Sequence, residues 1–327
     1  MSSWAEIESI AETLASPVAG AARATEGVHV VVSRPIGRLR RQHRPVLGSI
    51  DSAGAMLQHN GRAVIVGSAF ILVPGLVLTV VGAALTYDRF SSLSSSMRTV
   101  PELFGLGGAA VGVERVVWFL SIVFQSLAAS CVGGYVATLV VQRQVGTEVS
   151  AKAAFRPFIR RLPALCVAWF FGHIWVFPIL WLISRVAQPA AIVVLGAPIA
   201  VCMLALTLLV APSVAIEGLG PFHGLRRGWQ LGRRKFGLAF AFVLGSAIVG
   251  AYVQYGITIL PRLISGLGLI PIGRFVWLLE AVAGQLARLL SVPLVALATT
   301  FVYLDVRITT EGMDLLIDAD HSFGINK

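Results

Sequence analysis

The sequence predicts an all-α, six-helix polytopic membrane bundle, and three observations carry that reading. Of the 327 residues, 56% are apolar and only 13% are charged, about half the ~25% of an ordinary soluble domain. Five long stretches contain no Asp, Glu, Lys or Arg: 63–87, 116–142, 162–184, 186–216 and 236–261. A sixth stretch, 275–304, is equally apolar and holds only Glu280 and Arg288. A spanning helix needs ~20 apolar residues to cross a ~30 Å hydrocarbon core, and each stretch is long enough. The third observation is where the positive charges fall. Residues 1–62, 142–162, 216–236 and 305–327 together hold 19 Lys and Arg, whereas the intervening connections hold six. Positive residues stay on the cytoplasmic side, so both termini are expected there.

Residues 1–48 read as a cytoplasmic N-terminal segment. Trp4, Ile7, Ile10 and Leu14 share one helical face, Pro17 ends that helix, and a basic run follows from Arg34 to Arg44. No apolar core of signal-peptide length is present, so insertion is expected to use the first span. The segment is expected to be a solvated or lipid-facing tail, with docking of a protein partner through 1–48 as the alternative. The membrane domain then runs over 49–304, with spans at about 63–87, 116–141, 163–184, 190–214, 237–260 and 275–304. Pro74, Pro178, Pro198, Pro212 and Pro293 lie inside spans and predict kinks. Ala129-xxx-Gly133-xxx-Ala137 and Ser246-xxx-Gly250 have small-residue spacing that lets helices approach closely.

A basic, amphipathic segment precedes every second span. Before span five, Phe222, Leu225, Trp229 and Phe236 share a face, with Arg226, Arg227, Arg233, Arg234 and Lys235 around it. Before span three, Phe155, Phe158, Ile159 and Leu162 cluster beside Lys152, Arg156 and Arg160, and Pro157 is expected to permit only a short helix. Residues 49–61 are the faintest copy. The pattern predicts three repeats of an interfacial helix followed by two spans. Arg156, Arg160, Arg226, Arg227, Arg233, Arg234, Lys235 and Trp229 are the expected contacts to anionic lipid head groups. The net charge of +10 is thereby assigned to the membrane surface, with no nucleic-acid partner. Residues 305–327 form an acidic cytoplasmic tail through Asp305, Glu311, Asp314, Asp318 and Asp320. Charge complementarity predicts that it folds back onto the basic helices.

Two motifs stand out. One is Ala211-Pro-Ser-Val-Ala-Ile-Glu217-Gly-Leu-Gly220, running into Leu225-Arg-Arg-Gly-Trp229-Gln-Leu231-Gly-Arg-Arg234. The other is Tyr303-Leu-Asp305-Val-Arg307-Ile-Thr-Thr-Glu311-Gly-Met-Asp314. Together they resemble bacterial, actinobacterial-like membrane proteins related to the glycerophosphoryl diester phosphodiesterase membrane domain. The match is strongest over about 200–315, and position 228 is Gly where relatives often carry Ser. The resemblance implies a six-helix membrane module. It does not bring phosphodiesterase activity, which belongs to a separate barrel of roughly 250 residues.

Chemistry is sparse. Cys131, Cys166 and Cys202 each sit in an apolar stretch at no metal-ligand spacing, and no Walker loop or zinc signature occurs. No catalytic residue, metal or cofactor is expected. Glu280 and Arg288 are the charges deep in a span, where each costs ~2.5–3.5 kcal/mol on insertion scales. With Gln285 and His173 they define a candidate intramembrane polar cavity. The expected function is a non-enzymatic protein of a bacterial inner membrane, a scaffold or membrane subunit of an envelope-associated assembly. The alternative is a small transporter or lipid-handling protein built on that cavity.

Overall fold

The computed structural model describes residues 45–86, 113–144, 147, 149–175, 197–268 and 275–312, all within one compact unit, Leu39–Lys327. Among the described residues the structure is helical, without strands. The helices are α1 (Pro45–Thr86), α2 (Val113–Gln144), α3 (Ala151–His173), α4 (Ala197–Thr207), α5 (Val210–Glu217), α6 (Pro221–Arg234), α7 (Phe236–Gly266) and α8 (Val276–Glu311). Five segments are long and apolar enough to cross a membrane: Leu47–Val81, Val123–Gln144, Pro198–Glu217, Phe236–Gly266 and Val276–Glu311. The chain is therefore a multi-pass membrane protein. The N-terminal helix and basic run, the second half of the expected third span and the tail beyond residue 312 lie outside the described residues.

Several joints differ from the sequence reading for identifiable reasons. The surface segment 49–61 and span one fuse into α1, broken only at Asn60, whose φ of −124° and ψ of 19° are not helical. The helix of α3 continues through Pro157 and Pro163 instead of stopping. Both prolines are exposed, as are Ala153 and Ile159, whose carbonyls lose their partners, so no buried hydrogen bond is sacrificed. Conversely, the fourth stretch breaks at Leu208 and Leu209, because Pro212 offers no N–H to the Leu208 carbonyl and its ring crowds it. Gly218 ends α5 at φ 68°, the left-handed cap that glycine adopts without strain. Pro221 then opens α6 from the first helical position, where its missing donor is harmless. At the end of the chain α8 runs on to Glu311 and closes at Gly312, φ 62°, so 305–311 are helix and not free tail.

The densest packing joins the first part of α1, the second half of α2, the start of α3 and the last four turns of α8. Ala53, Met56, Val64, Val132, Tyr135, Val136, Leu139, Ala154, Leu297, Val302 and Tyr303 are fully buried there. Tyr135 organises it: its hydroxyl donates to the Ala63 carbonyl at 2.8 Å, and its ring packs against Phe155 and Phe158 at 4.9 and 5.9 Å. Gly67 leaves the space that this ring occupies. By contrast α7 exposes Leu244, Ile248, Val249, Tyr252 and Tyr255, as a helix bordered by lipid does. Apolar exposure carries no penalty when the surroundings are hydrocarbon.

Candidate functional site

The two motifs, some 80 residues apart in sequence, meet in space. Glu217 ends α5, Arg227 sits in the middle of α6, and Tyr303, Arg307 and Glu311 succeed one another at four-residue intervals on α8. That interval stacks side chains on one helical face. Arg227 Nε donates to both Glu217 oxygens at 3.1 Å, and its Nη2 reaches Glu311 Oε1 at 2.6 Å. Arg307 Nε lies 3.1 Å from Glu311 Oε2 and 3.5 Å from Glu217 Oε1. The Tyr303 hydroxyl donates to Glu217, and the Arg307 guanidinium sits 5.9 Å from the Tyr303 ring centre. Two carboxylates thus balance two guanidiniums. The four side chains are only 16–26% exposed, which weakens solvent screening. Burial pushes the Arg227 guanidinium down, but the Glu217 and Glu311 carboxylates outweigh it and hold it above its ordinary value. Nearby, Arg161 Nη1 donates to the Gly218 carbonyl at 2.6 Å, which ties α3 to the α5–α6 turn.

The second half of this clamp is made of glycine. Gly224, Gly228 and Gly232 are all buried and recur every four residues. They face Val214, Val210 and Leu206 respectively, so α6 runs antiparallel along α5 and the end of α4. A Cβ on Gly228 would stand 2.6 Å from Val210 Cα, and one on Gly232 would stand 2.8 Å from the Leu206 carbonyl oxygen. Backbone meets backbone here, and Ser213 Oγ adds a bond to the Gly224 carbonyl at 3.0 Å. In the sequence alone, these glycines read first as weak helix formers. Their four-residue spacing, the same signal recognised in spans two and five, was the available clue.

The expected lipid contacts divide accordingly. Arg226, Trp229, Arg233 and Arg234 are exposed on α6, Lys235 directly after it, and Arg156 and Arg160 on α3. Arg227 is instead turned inward into the clamp. Phe222 and Trp229 are 59% and 37% exposed, while Leu225 is half-buried against α3. The acidic end of α8 does meet a basic helix through Glu311 and Arg227. Asp314, Asp318 and Asp320 lie outside the described residues.

The intramembrane polar residues are not gathered into one place. Glu280 is paired with Arg262 of α7, Nε to Oε1 at 2.7 Å and Nη2 to Oε2 at 3.0 Å. Gln285 donates to Thr79 Oγ1 at 2.9 Å, which also receives Gln125 at 2.8 Å. Arg288 is half-buried, with no ion pair or hydrogen bond among the described residues. His173 stacks on Trp169 at 5.1 Å and donates from Nδ1 to its carbonyl. Of these four residues only His173 lines a cavity of about 410 Å³, which α2 to α8 surround. Cys131 and Cys166 are free thiols that adjoin across the α2–α3 seam. Among the described residues no three His, Cys, Asp or Glu side chains converge.

The Arg262–Glu280 bond is bidentate and partly exposed, at 28% and 19%. Removing either partner should cost about 1 kcal/mol. A double-mutant cycle of Arg262→Gln and Glu280→Gln, read by thermal unfolding in detergent, should recover most of that as coupling. Strict additivity would mean the two groups do not interact.

No protein-family model, curated protein or solved structure matches this chain.

Proposed function

We propose that the chain is a non-enzymatic integral protein of a bacterial inner membrane, a scaffold or membrane subunit of an envelope-associated assembly, with both termini in the cytoplasm. The observation that carries this is the clamp. It fixes α6 to α5 and α8 through Glu217, Arg227, Arg307 and Glu311, and it leaves Arg226, Trp229, Arg233, Arg234 and Lys235 on the outer side. A helix held rigidly with basic and aromatic side chains outward suits an anionic lipid surface, where each Lys or Arg contributes ~1 kcal/mol and Trp favours the interface.

The same arrangement supports relation to the glycerophosphoryl diester phosphodiesterase membrane-domain family. The residues of the two motifs behave as one unit. A basic or amphipathic stretch opens α1 at 45–59, before the break at Asn60, opens the continuous α3 at 151–162, and forms the separate α6 at 221–234 ahead of α7. This supports the reading of three repeats and six spans. A protein partner is assigned to residues 1–48.

Native mass spectrometry of the full chain from vesicles mixing zwitterionic and phosphatidylglycerol lipids tests the lipid contact. Changing Arg226, Arg233, Arg234 and Lys235 together to Gln should lower retention of the anionic lipid by at least about tenfold. Retention of the zwitterionic lipid should stay unchanged. Equal retention of the anionic lipid by both proteins would remove the basis of the reading.

A further inference from the structure

We propose that the cavity of about 410 Å³ holds one hydrocarbon chain of a membrane lipid, with an uncharged ester or hydroxyl oxygen of that lipid on the hydroxyls lining its wall. The volume falls within the ~300–1,000 Å³ of ligand pockets. It has room for roughly a dozen groups of ~30 Å³. Its walls on α2, α3 and α7 lie inside charge-free stretches, so the medium that supplies an occupant is hydrocarbon and not water. No Asp, Glu, Lys or Arg lines it, which excludes a charged group from the enclosed part of the ligand. An empty space of this size would leave its lining without dispersion partners, and acyl chains are the most abundant apolar groups in a bilayer.

The small residues that resembled helix-packing motifs make this space. Ser246 and Gly250 of α7 and Ala129 of α2 border the cavity, and a Cβ on Gly250 would meet nothing within 4 Å. Gly133, from the same motif as Ala129, does approach α5 closely, a Cβ there lying 3.3 Å from Ala211, whereas Ala129, Ser246 and Gly250 leave a gap. The hydroxyls supply an independent sign. Thr207, Ser291 and Thr300 also border the cavity, but they return their hydrogen bonds to carbonyls of their own helices at 2.9–3.0 Å, the usual solution in an apolar medium. Ser130, Ser246 and Thr299, from three different helices, make no hydrogen bond among the described residues. Thr299 is only 8% exposed, so the cavity is where its hydroxyl finds a partner. His173 donates from Nδ1 to a backbone carbonyl, leaving Nε2 as an acceptor in the neutral ring. Three uncommitted hydroxyls and one acceptor around an apolar space match a chain that ends in an ester or hydroxyl.

Photolabelling is the test. The full chain is placed in vesicles containing a trace phospholipid with a diazirine within one acyl chain, irradiated, and mapped by peptide mass spectrometry. Label is expected on Ala129, Ala168, Ser246 and Val295 as well as on the outward residues Ile248 and Tyr252. Ala129→Leu and Ser246→Leu fill the space from α2 and from α7. Each should cut labelling of the remaining cavity residues at least about fivefold while Ile248 and Tyr252 stay labelled. Label confined to outward residues in the unaltered protein overturns the proposal without reference to any variant. So does undiminished cavity labelling in both variants when their outward labelling is intact. No partner protein is present, so the outcome is independent of the scaffold reading.

Discussion

Gly228→Val should destabilise the protein more than any other single change on α6, by about 3 kcal/mol or more. The added Cβ would lie 2.6 Å from Val210 Cα and 2.7 Å from Val210 N, closer than side-chain carbons are found in real structures. Overpacking a core costs ~1–3 kcal/mol when side chains can shift. Here the obstruction is backbone within α5, which moves only if the helix moves. Gly224→Ala should cost less, because the atom in its way is Val214 Cγ2, and a side chain can yield. Gly245→Ala is the control: nothing lies within 4 Å of its Cβ, and alanine gains ~1 kcal/mol of helix propensity over glycine. Thermal unfolding in a fixed detergent should therefore rank Gly245→Ala at or above the unaltered protein, then Gly224→Ala, then Gly228→Val far below. If Gly228→Val melts with Gly245→Ala, α6 does not lie against α5 as described. Serine at 228 would meet the same backbone.

What the sequence made legible follows from what each physical demand leaves visible. A span must exclude charge over ~20 residues, and that requirement is written in consecutive positions. So 116–142 and 236–261 emerged with nearly the bounds of α2 and α7, whereas 63–87 is only the second part of the longer α1. A contact between distant residues leaves no such trace. Glu217, Arg227 and Glu311 each looked like a boundary charge, and nothing local says that they share one site. Charge complementarity pointed in outline to the acidic end meeting a basic helix, and the structure supplies one pair, Glu311 with Arg227, within a helix taken for tail. Glu280 and Arg262 were equally visible, but their pairing depends on how α7 and α8 pair after the intervening turn. The glycines of α6 were visible too. They carry two opposite meanings, weak propensity and close approach, and only the partner helix decides between them. The cavity was the least legible feature. It depends on which small residues face one another across several helices.

Glu217→Gln should loosen the same helix by a different route. The substitution keeps the volume and an acceptor for Tyr303, but removes the charge that Arg227 and Arg307 share. Glu311 alone would then face two guanidiniums. Breaking a buried ion pair from one side costs ~3–5 kcal/mol because the remaining charge is left uncompensated. The 16–26% exposure of these side chains lets water offset part of that, so about 2–3 kcal/mol is expected. Tyr303→Phe, which deletes one neutral donor, should cost about 1 kcal/mol. The informative variant is the double one. Glu217→Gln with Arg227→Gln removes one charge of each sign and leaves Arg307 with Glu311, whose 3.1 Å contact is internal to α8. It should be more stable than the sum of the two single losses by about 2 kcal/mol. A second readout follows α6 directly. Trypsin should cut at the exposed Arg226 and Arg233 faster in Glu217→Gln than in the unaltered protein, and the double variant should recover part of the protection. Additive losses with unchanged digestion would mean that α6 is held by its glycine contact with α5 alone, and that the four charges are bystanders.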